Sequence, residues 1–531
     1  MGTWTHSVTV DAAAVNVVGM ITVHAEENTA KTASFSYAAA QGVAFNPEDL
    51  EGAAIVIKHG TTTIFTGTLE TARAETESGL INVTATDGLK EYFEGRTQAQ
   101  ILTDITGGKY HRAFFGDRTS GWEQAQSVLQ TVLSEVHMNR LGALTLGDWT
   151  TAGGTAITDA VYLSESSETA PRGALLNRIT MNVEYRFTRL KQRHWSYAWT
   201  SPAIADFAGW AAQQTSLPTR DMIQSAADGT GWGALGGIQY ITVPDAGAGW
   251  TPTDDEQQIR CLQALWTGYK RWAHNVKETY TLTVEAPASI AIRGAIEGEE
   301  GVTLVTEFDG AGWDNSHAQY TPAWSTDSLG DYYQDQDDRT EIDDLIECAL
   351  AVCQHRIWDA HRQNFPQFQL LCQPTIDLAD GYSITTDWLS AAGKVYGYEH
   401  RLDTGPDGVD LTIITLACPR GGGTGDSDAL SAPAAPDTGP VHSIGSTSTT
   451  LATRIGNTDA AADDDTDWDG YMGNYQSPVG SPTTDQVYNE RFVVDGAAIE
   501  SDARDELTAS RTATYTLQVP SHTHTHTPNP I

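Results

Sequence analysis

The segment Leu50 to Asp87, LEGAAIVIKHGTTTIFTGTLETARAETESGLINVTATD, constrains the fold more than any other part of the chain. Ala54 to Lys58 alternates around Ile55 and Ile57, a tip at Gly60 turns into Thr63 to Leu69, and Ser78-Gly79 turns into Ile81 to Ala85. Alternation of period two in β-branched residues, broken by glycine, predicts three antiparallel strands with one buried face. The pattern returns in Leu378 to Cys418, with strands at Tyr382 to Thr386 and Gly393 to His400, a Pro406-Asp407-Gly408 turn, and a strand at Val409 to Leu416. Two such meanders far apart in one chain suggest a duplicated barrel or sandwich with the middle of the chain inserted between the copies. The alternative is that any two antiparallel meanders share this pattern.

The rest of the chain divides around these copies. With Trp4 to Val10, Val15 to Ala25 and Thr32 to Tyr37 as further strands, residues 1–95 read as a first tube-like β-domain. Residues 96–175 read as a helical and loop insertion, because Ser120-Gly-Trp-Glu123 has capping-box spacing and Ala125, Val128, Leu129, Val132, Leu133 and Val136 follow at helical intervals. Residues 176–335 read as a mixed α/β domain. Ile179, Met181, Val183, Tyr185 and Phe187 form one face of a strand that Thr279 to Val284 can pair with, while Ile259, Leu262, Leu265, Trp266, Tyr269 and Trp272 predict a helix over Asp254 to His274. Arg178, Arg186 and Arg189 stand on the polar face of that strand and read as solvated or salt-bridged.

Residues 336–420 read as a helix, Thr340 to His361 with an acidic first turn, followed by the second β-module. The carboxylates from Asp335 to Glu347 read as a solvated face and a cap rather than a metal site. Residues 421–441, rich in Gly, Ser, Ala, Pro and Asp, have little to bury and read as a flexible linker. Residues 442–531 then form a separate C-terminal tip domain. The fold class is α+β, predominantly β.

Charge and cysteine content exclude several functions. With 69 Asp and Glu against 31 Lys and Arg, a net charge of −38 makes the surface repel nucleic acid. The 5 cysteines are scattered without CxxC spacing, which argues against a disulfide framework or a zinc ribbon, and Cys348 and Cys353 fall on the apolar face of the helix. No apolar run reaches the roughly 18 residues of a membrane span. No GxSxG, HExxH or P-loop is present, and no GxGxxG stands in its proper context, so the chain is not read as an enzyme.

Two stretches point to metals. In an extended end, His522, His524 and His526 share one face at about 7 Å spacing. Three copies around a threefold axis would stack these imidazoles into rings, an arrangement that spacing alone leaves open to Fe, Ni, Cu or Zn. Asp465, Asp467, Asp469 and Gly470 match the opening of a calcium loop, but Gln476 stands where the bidentate Glu belongs, which favours a solvated acidic loop over Ca binding.

The N-terminal meander, carried by Phe65-Thr-Gly67 and Thr86-Asp87-Gly-Leu89, resembles the first domain of tail hub (baseplate hub) proteins of long-tailed viruses of bacteria or archaea. Leu176-Asn-Arg-Ile179 and Gly397-Tyr-Glu-His400 are similar to later parts of that family, and the likeness covers about 1 to 420 in element order. The resemblance implies a virion protein made in the host cytoplasm: a homotrimer whose two tube-like domains per chain form a pseudo-sixfold ring. That ring caps the tail tube beside a distal tail protein ring and other tail-tip or fibre proteins, passes DNA only in transit, and meets the host envelope at infection. The histidine end is similar to His-x-His sites of trimeric tail spikes, which implies Fe. The long middle and the C-terminal unit depart from the family. Two other classes fit less of the sequence: an adhesin binding surface glycans through the loops at 195–250 and 307–335, and a cell-wall hydrolase.

Overall fold

The structure is a computed structural model and describes residues 6–39, 47–75, 77–151, 153–157, 162–169, 174–200, 220, 223–224, 233–242, 261–306, 325–326, 332–405, 408–438, 453–454, 471–476, 489–493 and 507–527. The fold is α+β and predominantly β. The first module holds β1 (His6–Val10), β2 (Ala13–Val15), β3 (Met20–Glu26), β4 (Thr32–Ala38), β5 (Ala54–His59), β6 (Thr62–Glu75) and β7 (Leu80–Thr86). The stretch read as one strand from Val15 to Ala25 is two, divided near Gly19, whose φ of 87° takes it out of strand conformation. Ile21, Val23, Phe35, Ile55, Ile57, Phe65 and Val83 fill one apolar core on its inner face.

Helices Leu89–Glu94, Gln98–Asp104, Arg112–Phe115 and Gly121–Leu129 follow, then the hairpin β8 (Ser134–Met138) and β9 (Leu144–Asp148). The helix expected to run on to Val136 stops at Leu129. Thr131 N turns back to Val128 O at 2.9 Å, and the β-branched residues beyond enter β8. The strands β10 (Thr155–Ile157) and β11 (Tyr162–Thr169) pair with strands of the second module, so this part of the predicted insertion belongs to the main sheet.

The middle of the chain is a long antiparallel ribbon. Its strands β12 (Arg178–Thr200), β13 (Gly233–Thr242) and β14 (Cys261–Glu285) are followed by the helix Pro287–Arg293, β15 (Glu297–Val305), β16 (Ser325–Thr326) and β17 (Tyr332–Gln336). The 23 residues of β12 pair one for one with β14, Ile179 opposite Val284 as expected, over a span of roughly 75 Å. The helix expected over 254–274 is thus a strand from Cys261 onward. Its aromatic residues suit a strand as well as a helix, and a partner as long as β12 settles which they form. The apolar base of this ribbon covers the helix Arg339–Arg362 through Ile342, Leu345, Ile346, Ala349, Cys353 and Ile357. That helix is capped by Asp338, whose carboxylate accepts from Glu341 N at 3.0 Å.

The second module holds β18 (Asn364–Leu371), β19 (Gly381–Thr385), β20 (Leu389–Asp403) and β21 (Leu411–Ala417). Its strands β18 to β21 repeat the pairing registers of β4 to β7, while β10 lies parallel to β19 where β1 is antiparallel to β5, and the irregularity after Ile57 in β5–β6 has no counterpart in β19–β20. In the first, β6 meets β7 in seven pairs, Thr68 opposite Thr86, Leu69 opposite Ala85, a bulge, then Thr71 opposite Thr84 and on to Glu75 opposite Leu80. In the second, β20 meets β21 in seven pairs, Lys394 opposite Ala417, Val395 opposite Leu416, the same bulge, then Gly397 opposite Thr415 and on to Arg401 opposite Leu411. The hairpins agree too, Ile55 opposite Gly67 matching Tyr382 opposite Gly393, and so do the outer strands, Phe35 opposite Val83 matching Phe368 opposite Ile414. Both glycines are required: a Cβ on Gly67 would lie 2.1 Å from Thr86 O, and one on Gly393 would lie 2.3 Å from Ala417 O. Coincidence between two generic meanders does not reproduce a bulge, a glycine and three registers together. The two modules are copies.

The end of the chain adds β22 (Thr453–Arg454), β23 (Tyr471–Gln476) and β24 (Asn489–Val493), a small sheet of their own, then β25 (Leu507–Thr516) and β26 (His524–His526). The last two correct the picture of a wholly separate tip domain, since β25 lies parallel to β14 and β26 antiparallel to β20. The predicted flexible linker is likewise pinned, as far as Thr438, by the returning strand. Gly423 N donates to Val519 O at 2.7 Å, Asp428 N to Thr516 O at 2.9 Å and the Tyr515 hydroxyl to Ser431 O at 2.6 Å, while Leu430 and Ala432 pack on the core. Order here comes from backbone hydrogen bonds, which composition does not report.

Candidate functional site

The two copies are joined edge to edge. Residues 397–403 of β20 pair with β3 of the first module, Gly397 opposite Glu26 through Asp403 opposite Met20, so one sheet runs β11-β18-β21-β20-β3-β4-β7-β6-β5-β1-β2. The seam has a counterpart at each end. In the first module Thr71 to Glu75 of β6 correspond to residues 397–401 of β20, and among the described residues no strand pairs with that side of them. In the second module β11 stands beside β18 as β3 stands beside β4, and it ends the sheet. A groove of about 610 Å³ lies on this sheet, with His24, Glu26, Gln367, Tyr396, Glu399 and Thr415 among its lining residues.

Behind the seam is a buried network of charges. Arg362, at the end of the long helix, holds Glu27 through two hydrogen bonds of 3.0 and 2.7 Å and lies 4.0 Å from the centre of the Trp149 ring. The Lys394 ammonium donates to Glu27 at 2.8 Å and to Glu135 at 3.1 Å. His137 bridges Glu135, at 2.9 Å, and Asp377. Burial works to raise the Glu27 pKa, but Arg362 and Lys394 outweigh it and hold the carboxyl below its usual range. Burial also works against charge on His137, yet its hydrogen bonds to Asp377 and Glu135 prevail and lift its pKa to about 9. The network ties the first module, the β8–β9 hairpin, the long helix and the second module into one body.

A second cluster sits where the second module's hairpin meets the far end of the first. His6 Nε2 lies 2.9 Å and His59 Nε2 3.0 Å from the same Asp410 Oδ2, with all three side chains at 9% exposure or less. Sequence reading missed it, because its members stand 404 and 351 residues apart and only the seam brings them together.

Among the described residues, the histidines, aspartates and arginines named from the sequence belong to neither of these two clusters. His524 and His526 lie in β26, paired opposite Ala391 and Leu389, and His522 N donates to Pro419 O at 2.9 Å. The histidine end is therefore a strand laid on β20, in which burial lowers the pKa of His522 and His524. Asp465, Asp467 and Asp469 lie outside the described residues, as do most of the loops at 195–250 and 307–335. Arg178 and Arg189 are salt-bridged within the chain, Arg178 to Glu285 and Glu297, Arg189 to Asp335. Of the acidic cluster, Asp335 and Asp337 pair with arginines and Glu347 takes Lys109 at 2.6 Å, so these members are structural.

The sequence matches no family model and no curated protein. The solved structures it is similar to are tail proteins and proteins of related spikes. A tail protein from Neisseria meningitidis MC58 shares 8% identity at a TM-score of 0.38, over 78% of this chain and 96% of that one. The 43 kDa tail protein of prophage MuSo2 from Shewanella oneidensis shares 10% at 0.37, over 78% and 98%. An Escherichia coli component of the type VI secretion system, described as structurally similar to T4 bacteriophage tail proteins gp27 and gp5, shares 7% at 0.27, over 79% and 82%. At these scores the likenesses do not assign the chain to a family.

Proposed function

We propose that this chain is a structural protein of a virion, a homotrimeric hub that closes the distal end of a tail tube and adapts a sixfold tube to a threefold tip. The observation that carries the reading is the register-matched duplication with a seam between the copies. If β6 and β11 of neighbouring chains repeat the β20–β3 seam, the edges of three chains close on one another and six equivalent modules surround a channel. Closure also removes the exposed edge strands, which would otherwise template aggregation. The equivalence fixes the register: Glu75 of one chain opposite Ser166 of the next, and Arg73 opposite Glu168.

The hub acts by assembly, not by chemistry. It holds the channel shut until the host is met, and its acidic surface keeps passing DNA from adhering. Its partners are the tube or the distal tail ring on one side and tip or fibre proteins on the other. Iron held by His522, His524 and His526 of three copies belongs to the same reading, and metal analysis of the full chain against His524→Gln/His526→Gln tests that part.

The interface test is a disulfide. Facing residues of an antiparallel pair stand close enough to be bridged, so oxidised Glu75→Cys/Ser166→Cys protein should run as a covalent trimer. An equal mixture of the two single variants should give dimers. A chain that stays monomeric under oxidation would contradict the interface.

A further inference from the structure

We propose that His6, His59 and Asp410 form a binding site for a divalent transition-metal ion of the zinc class, which staples the second module to the first. The ligand atoms, two imidazole Nε2 and one carboxylate oxygen, all lie within 4.8 Å of one another. A tetrahedral zinc with bonds of about 2.0–2.1 Å needs ligand atoms about 3.3 Å apart. The two nitrogen-to-oxygen separations of 2.9 and 3.0 Å reach that by opening a few tenths of an ångström. The carboxylate is held for the task, since its other oxygen, Oδ1, accepts from Asp403 N at 3.1 Å and leaves Oδ2 facing both rings. A fixed outer partner of this kind orients a metal ligand. Two neutral imidazoles and one carboxylate suit Zn²⁺, with the fourth position left to water.

The position of Asp410 says what the ion does. Cys372 N donates to Asp410 O at 3.0 Å as Ala39 N donates to Gly79 O at 3.0 Å, so Asp410 is the second module's equivalent of Gly79. Glycine offers no ligand, and the seam between chains lacks the site. On the trimeric reading the ion marks the three seams inside chains and none of the three between them. Binding itself does not rest on that reading, because all three ligands belong to one chain.

The test is zinc titration of the chelator-stripped full chain, followed by equilibrium dialysis and elemental analysis, with Co²⁺ as a spectroscopic substitute. The variant His522→Gln/His524→Gln/His526→Gln removes the C-terminal histidines from the comparison and should retain one Zn²⁺ per chain. It should also show the visible bands of four-coordinate Co²⁺ and melt at higher temperature with zinc than with chelator. In that background Asp410→Asn and His6→Gln should each lose the ion, the cobalt bands and the zinc-dependent melting shift; His6→Gln, on the terminal strand, serves if Asp410→Asn fails to fold. A chain that binds no zinc, or zinc binding untouched by either substitution, would overturn the proposal and leave the cluster as a hydrogen-bonded bridge only. A monomer that binds zinc in this way would refute the trimer and leave the site standing.

Discussion

The two β-modules share a register and differ in what surrounds it. One pair ahead of the residue that precedes the bulge, the first module carries Thr68, exposed, and the second carries Lys394, buried and bonded to Glu27 and Glu135. At the edge beyond the bulge the second module is covered by β3, while the matching edge of the first is open among the described residues. Duplication thus preserved the backbone pairing and left side chains free to specialise. One copy became the joint at which the inserted helix, hairpin and first module meet. The other has an edge that no described strand covers.

Four substitutions probe this difference, the largest effect first. Lys394→Met removes the ammonium between two buried carboxylates and should cost about 3–5 kcal/mol in urea unfolding, whereas Thr68→Met at the equivalent position should stay within about 0.5 kcal/mol. Equal losses would mean that the copies are not differentiated as described. Gly67→Ala and Gly393→Ala both drive a Cβ into a backbone oxygen, at 2.1 and 2.3 Å, and should cost roughly 3 kcal/mol each. Unequal costs would break the equivalence of the two registers.

The smallest effect is with pH. His137 is raised from 6.5 to about 9 in the folded chain, so its contribution is complete below the unfolded value and fades as pH rises through the folded one. Stability should fall by on the order of 2 kcal/mol between pH 6.5 and 9. His137→Gln should flatten that slope; a slope that survives it would have another source.

Sequence reading reached far in the strands and little in the sites, for a physical reason. Ile55, Ile57, Ile81 and Val83 alternate because each strand buries one face, so local pattern reports the modules directly. The helix at Arg339–Arg362 was also legible, since its buried residues recur with helical period. Only the part of Cys261–Glu285 up to His274 departs from the expected helix, because its apolar residues in the sequence follow no strict alternation, and period then does not separate strand from helix. The histidines at 522, 524 and 526 are conspicuous because they alternate within five residues, yet the placement of His524 and His526 on β20 depends on residues more than a hundred positions away. Lys394, Glu27, Glu135, His137, His6, His59 and Asp410 carry no local signal. Their meaning comes from a seam that closes long loops, and no window along the chain contains it.

The central claim is that three chains close a ring of six modules. Electron-microscopic class averages of the untagged full-length protein test it most directly. The account predicts a threefold particle with six similar lobes around a closed channel. A monomer, or a trimer whose modules do not alternate around one ring, would contradict it.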